Sequence, residues 1–289
     1  MKKMLLLLLL CPALLPAWGR QGTETVALVA QGLLRPQARN MVNWLRHDPA
    51  WRKLEPGHGR RYRAADRRLY HFCHDKTLDL GLAAGWAATW EKRHPDTIRL
   101  HDVKTPLSSD GDVEALKQAC GGDCILTELR TRIRLLNDTG AKRLARLQAL
   151  LWVTGLMADL HQPLRCADNL DQGGSQRMVR VRGRRETLRY AWDTGFLKER
   201  RIRPKTLARQ LLADEKRRPW DLEAVDERSP WVWATETFWV AKNTVYPQVR
   251  DDHGHYNKAE IAKAWPVVRM QLTRGGVRLA EVLNAAAAR

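Results

Sequence analysis

A few short strings in this chain hold residues able to move protons, bind metal or form disulfides. Asp159-Leu160-His161-Gln162-Pro163-Leu164 joins a carboxylate to an imidazole where a long apolar segment ends. His161 is read there as a structural hydrogen-bonding histidine rather than a ligand. His101 is followed at once by Asp102. Neighbours on an extended strand face opposite ways, which argues against an acid/base pair. His253 and His255 flank Gly254, a spacing read as a solvated loop rather than a metal site. Cys120 and Cys124 enclose Gly121, Gly122 and Asp123, a turn-forming stretch suited to closing a small disulfide loop. No nearby histidine completes a zinc site around them. Cys73 and Cys166 are then the remaining pair, although four cysteines allow three connectivities.

The cationic residues point to acidic partners. The formal net charge is +18, a balance that favours nucleic acid, anionic headgroups or an acidic protein. Two stretches concentrate it. One holds Arg60, Arg61, Arg63, Arg67 and Arg68 interleaved with Tyr62 and Tyr70; the other holds Arg177, Arg180, Arg182, Arg184, Arg185 and Arg189. Aromatics among arginines can stack on bases, and a plainly solvated basic surface is the competing reading.

The elements that must position these residues are mostly helical. Helical apolar spacing runs over Thr23 to Leu34, Thr77 to Arg93, Ile125 to Leu136, Ala141 to Leu160, Trp231 to Val245 and Ile261 to Leu283. Pro163 ends the Ala141 to Leu160 segment. A Gly-rich turn, Asp171-Gln172-Gly173-Gly174, precedes Met178 to Arg182, where apolar and basic residues alternate as in a hairpin arm. No internal repeat or Gly/Ser linker divides the chain. The expectation is a mainly α, single-domain protein with a small β-hairpin.

Residues 1–17 read as an export signal: Lys2 and Lys3 precede an apolar run from Met4 to Leu15, and Ala17 suits cleavage. The run is too short to span a membrane, and no later stretch is long and apolar enough. Lipidation at Cys11 is weaker than cleavage after Ala17, because Leu10 before it is not small. The mature domain would span 18–289, begin at Trp18, and be secreted or periplasmic. An even number of cysteines in an exported chain also favours disulfides.

Several strings, in order, resemble the S1/P1 zinc-dependent nucleases: Trp18-Gly19 through Ala30-Gln31, Leu82 to Trp86, Leu100 to Pro106, Met157 to Leu164, Asp171 to Gly174 and Ala191-Trp192-Asp193. Trp233-Ala234 with Glu236, and Gly276 to Ala280 with Leu283-Asn284, continue the likeness. The most specific is Asp159 to Leu164, close to the family's GDIHQPLH. The resemblance implies the helical phospholipase C/P1 nuclease fold with an active-site cleft. It also implies three zinc ions held by the N-terminal Trp, several His and several Asp.

Carried over position by position, the resemblance leaves that ligand set broken. Trp18, His101, Asp159 and Asp193 match family ligands, with Asp159 the central, catalytic carboxylate. Thr23, Ala88, Gly155, Arg165 and Arg189 stand where the family has ligands. Asp102 and Lys104 replace base-holding residues, and Glu91 reverses the sign of a family phosphate contact. Two of the losses are His to Arg. Arg165 and Arg189 are expected to pair with Asp159 and Asp193, restoring without metal the charge balance that buried carboxylates need. Trp86, Trp192 and Trp233 are expected in the core or cleft walls.

The function expected is a pseudoenzyme that binds single-stranded nucleic acid or another polyanion through a basic cleft, with no cofactor; zinc belongs only to the reading in which family chemistry survives. That alternative is an active phosphodiesterase with a remodelled metal site. A third is a protein-binding or inhibitory module using the Arg-rich stretch near residues 52 to 70.

Overall fold

A computed structural model describes residues 18–55, 63–217, 225–249 and 254–288. The export signal with Cys11, Arg60, Arg61 and Tyr62 of the first basic stretch, and His253 lie outside the described residues. The α-helices are α1 (Gly19–Leu33), α2 (Pro36–Arg46), α3 (Arg63–His74), α4 (Trp86–Trp90), α5 (Val113–Cys120), α6 (Ile125–Asn137) and α7 (Arg143–Leu160). They continue as α8 (Pro163–Cys166), α9 (Leu188–Tyr190), α10 (Phe196–Arg200), α11 (Pro204–Arg217), α12 (Ser229–Val240) and α13 (Lys258–Ala286). A π-helical turn, Ala191–Gly195, joins α9 to α10, and another, Ala241–Val245, extends α12. The mainly α architecture expected from the apolar spacing is the one observed.

Local chemistry sets the helix ends. Asp112 caps α5 by accepting the Ala115 amide at 2.8 Å, and Gly121 ends it at φ +59°, a left-handed position that favours glycine. Asn257 caps α13 through the Ala259 and Glu260 amides. Helix α7 is apolar around its whole circumference from Leu147 to Leu160 and is buried throughout that stretch except at Gln148. A helix apolar on all sides belongs at the centre. Helices α1, α4, α6 and α13 pack round it, and their buried side chains form one continuous cluster.

The small β structure lies at the edges. Strands β1 (Thr105–Pro106) and β2 (Ala167–Asp168) pair in parallel. Strands β3 (Met178–Val181) and β4 (Arg184–Thr187) form the expected hairpin, and β5 (His255–Tyr256) adds to β3 in parallel.

Two expectations need correction. Thr77 to Arg93 is not one helix. A 3-10 turn at Leu80–Leu82 and the short α4 replace it, because Gln31 holds the backbone there by bonding the Leu80 amide and the Leu78 carbonyl. Cys120 and Cys124 are bonded, but Cys73 on α3 and Cys166 on α8 are free, buried thiols on separate elements. The Cys166 thiol donates to the Leu160 carbonyl. The core placed these two cysteines by packing, which the even cysteine count does not register.

Candidate functional site

The central carboxylate is set by the end of α7. Gly155 and Asp159, one turn apart, lie on the same side of that helix, the side of Gly155 turned to α4. After His161, Pro163 opens α8, which carries Arg165 six residues beyond Asp159. The Val103 amide bonds the Arg165 carbonyl at 2.8 Å, and the β1–β2 pairing follows, so His101 and Asp102 are drawn beside α8. The π-helical turn brings in Asp193. Trp18, fully buried, and Gly19 lodge against that turn: a Cβ on Gly19 would meet Thr194 Oγ1 at 2.5 Å and the Asp193 carbonyl at 3.2 Å.

The positions that the resemblance matched to ligands, Trp18, His101, Asp159 and Asp193, thus lie on elements that meet here. His101 is 2% exposed. Its Nδ1 lies 2.6 Å from Asp159 Oδ2, and its Nε2 faces Glu91 Oε2 at 3.3 Å. Glu91 is thus not a surface phosphate contact. Burial raises its pKa, against the opposing fields of His101 and Arg165. Asp193 accepts a hydrogen bond from Gln162 Nε2. Burial lifts its pKa to about 7, although Arg165 and Arg189 pull it down.

Arg165 is the electrostatic centre of the group. Burial opposes its charge, but the fields of Asp159, Asp193, Asp102 and Glu91 outweigh that cost and hold its pKa above the usual guanidinium value. The expected Arg165 association with Asp159 is present as a charge interaction and extends to Asp193. Arg189 also acts on Asp193 through its charge, but its hydrogen bonds go elsewhere. Arg189 Nε and Nη2 each donate at 3.0 Å, to the Gly173 and Leu164 carbonyls, and Nη2 lies 3.7 Å from Asp102 Oδ2. Gly173, at φ +60°, is pressed against this guanidinium: a Cβ there would lie 2.5 Å from Arg189 Nη2. Arg189 is a strut across the Gly-rich turn.

The donor set does not fit a cluster of three zinc ions. Such a cluster needs deprotonated N and O donors converging at about 2.0–2.2 Å. A Cβ built on Gly155 would stand 2.8 Å from Ala87 Cβ, so α4 and α7 have closed the space an imidazole needs at that position. Ala88 offers no donor, and Thr23 turns its hydroxyl back to the Gly19 carbonyl at 2.9 Å. Arg165 puts a fixed cation among the carboxylates. Among the described residues, no three His, Cys, Asp or Glu side chains are grouped to hold a metal ion.

Above the buried group opens a cleft of about 770 Å³. Arg99, Asp102, Lys104, Arg165, Gln172 and Arg189 line it, with the Cys120–Cys124 disulfide in one wall. Asp102 and Lys104 both line this cleft. Lys104 Nζ donates to Gln172 Oε1 at 2.8 Å, and Arg99 pairs with Asp123.

His161 lies elsewhere. Its Nδ1 bonds the Met157 carbonyl at 2.8 Å, and Nε2 accepts from Arg278, which also donates to Glu236. Burial and Arg278 hold it well below the usual histidine range, so it stays neutral, as the structural reading expects. Trp86, Trp192 and Trp233 are buried, as expected. Gln162, which caps α8 and holds Asp193, was missed. Its only signal in the sequence was its place in the retained string.

Comparison with known proteins agrees in extent. The S1/P1 Nuclease family model matches residues 18–288. The chain is 23% identical to Endonuclease 2 of Arabidopsis thaliana, the match covering 92% of this chain and 89% of that one. It is 24% identical to Nuclease S1 of Aspergillus oryzae, over 92% of this chain and 91% of the other.

Proposed function

Since this chain belongs to the S1/P1 nuclease family, whose chemistry is zinc-dependent, we propose that it is a degenerate member that binds single-stranded nucleic acid or a related phosphate polyanion without the trinuclear zinc chemistry. One observation carries this reading: a buried guanidinium, Arg165, sits within the fields of four carboxylates, Asp159, Asp193, Asp102 and Glu91. A divalent cluster and a guanidinium answer the same need, neutralising carboxylates taken out of water. Only the guanidinium does so without metal. The closed space at Gly155 supports the same conclusion. In the cleft above, Lys104, Arg99 and the outer part of the Arg165–Arg189 group would meet phosphates, with affinity that falls steeply as salt rises. Export through residues 1–17 and cleavage before Trp18 are part of the proposal.

The test is zinc per mole in the purified protein, with its N-terminus sequenced, alongside binding and cleavage of a labelled single-stranded oligonucleotide. Metal-free folded protein that binds and does not cut is the expected result. Two or three tightly held zinc ions would overturn it. The hydrolytic reading has the His101–Asp159 contact in its favour, but that imidazole is 2% exposed and does not line the cleft. Cleavage abolished by chelator would select the hydrolytic reading.

A further inference from the structure

The hairpin that follows the cleft loop carries a charge arrangement its own stability does not explain. Strand β3 turns its apolar residues inward: Val179 and Val181 are buried, against Gly254 and Gly195. Arg182 and Gly183, at φ +52° and +83°, make the two-residue turn. Of the two outward residues of β3, Met178 is apolar and Arg180 is cationic. Arg180 is the register partner of Arg185 on β4 and of His255 on β5, so three basic side chains stand in one row across the sheet, all exposed. Like charges directly opposite each other destabilise a strand pair, and exposed strand positions are better served by Thr or Val. Among the described residues, neither Arg180 nor Arg185 has a carboxylate within ion-pair distance, whereas Arg184 and Arg182 share Glu199 at 2.8 and 3.7 Å.

Two grooves meet at Arg182. One, of about 260 Å³, is bordered by Arg180, Arg182, His255 and Asn257; the other, of about 280 Å³, by Arg182, Arg200, Arg201 and Lys258, with Glu199 its one acid. Arg180 on β3 and Arg182 in the turn both border the first groove, and Arg182 borders the second, so guanidinium groups stand along both.

We propose that the outer face of this three-stranded sheet is a second polyanion site, separate from the cleft, that takes the sugar–phosphate backbone of single-stranded nucleic acid. The charge supplies the affinity, and the grooves supply the track. An anionic membrane is the poorer match: Met178 is the one exposed large apolar side chain on these strands, and a surface that docks on lipid buries apolar area as well as charge.

The experiment follows the anisotropy of fluorescein-labelled dT12 with the purified protein across a salt series. R180Q/R185Q reports on the sheet and K104Q on the cleft. For the sheet variant the slope of log K against log salt should fall by about 1.4, two phosphates at about 0.7 each, and Kd at fixed salt should rise. Its thermal midpoint should be unchanged or raised, because the opposed charges are gone; if it does not fold, Arg180→Glu, which faces Arg185 with an opposite charge, takes its place. An unchanged slope and Kd in the sheet variant overturn the site. So does arginine-dependent binding to phosphatidylserine vesicles with none to dT12. A loss confined to K104Q sinks the sheet and keeps the cleft. A loss confined to the sheet variant sinks the cleft and keeps the sheet.

Discussion

At the scale of single residues, Arg165 and Asp193 make opposite and checkable demands. Truncating one member of a buried charge group leaves the others uncompensated, at a cost of about 3–5 kcal/mol. Arg165→Met should therefore lower the unfolding free energy measured in urea by that order, and far more than Lys104→Gln, whose side chain is exposed. Asp193 has a folded pKa of about 7 against about 3.9 for an unfolded Asp. The folded state then binds more protons between those values, so this group's contribution is present in full below pH 4 and is lost as pH rises through 7. Urea midpoints measured from pH 4 to 8 should show that decline, and Asp193→Asn should flatten it. An unchanged profile in the variant would mean that another group titrates. Sequence comparison reached both residues, since each stands at a family ligand position. It could not find Glu91 at the far nitrogen of His101, because that contact joins a helix end to a 3-10 turn.

At the scale of elements, the approach of α4 to α7 is the feature to test. Ala in place of Gly at 155 gains about 1 kcal/mol of helix propensity but presses a Cβ to 2.8 Å from Ala87 Cβ, and overpacking costs about 1–3 kcal/mol. The clash should win, so Gly155→Ala is expected to lower the melting temperature. Gly155→Ala with Ala87→Gly should restore it, because the methyl group only changes helix. A stabilised single variant would show that α4 yields easily, and the argument for a closed ligand space would fail with it. The cysteines give a second test. Burial pushes the Cys73 thiol up to about 12 and the Cys166 thiol higher still, so neither forms a thiolate near neutrality. Both should react with a thiol reagent only after denaturation; reaction of either in the native protein would place it near the surface.

At the scale of the whole molecule, part of the positive charge gathers at the buried site, the cleft and the sheet face. Arg165 and Arg189 are committed to carboxylates and carbonyls, and serve the fold as much as any ligand. Arg180, Arg185 and Lys104 are exposed and without a carboxylate in ion-pair distance among the described residues, which leaves them among the charges available to a partner. A chelator should therefore leave the melting temperature of the full protein unchanged, since a guanidinium does not dissociate; a drop of several degrees would mean that a metal holds these elements together. The dT12 salt series would in turn separate the committed charges from the available ones.

The helices that bury a continuous apolar face, α1, α6, α7, α12 and α13, were legible in the sequence because 3.6-residue spacing is a local property, and so was the hairpin, whose period is two. The short amphipathic helices α2, α3, α5 and α11 were not singled out from the pattern, and the segment before α4 was misread, because a single distant side chain, Gln31, decides its backbone. The same division runs through the site. Which residues stand at the positions matched to family ligands is an expectation read along the chain, residue against residue. What the replacements did, with Arg165 facing four carboxylates, Arg189 bracing a glycine turn and Ala87 closing on Gly155, required the tertiary structure. Charge balance and packing are settled among residues brought together from separate elements, and no local pattern records them.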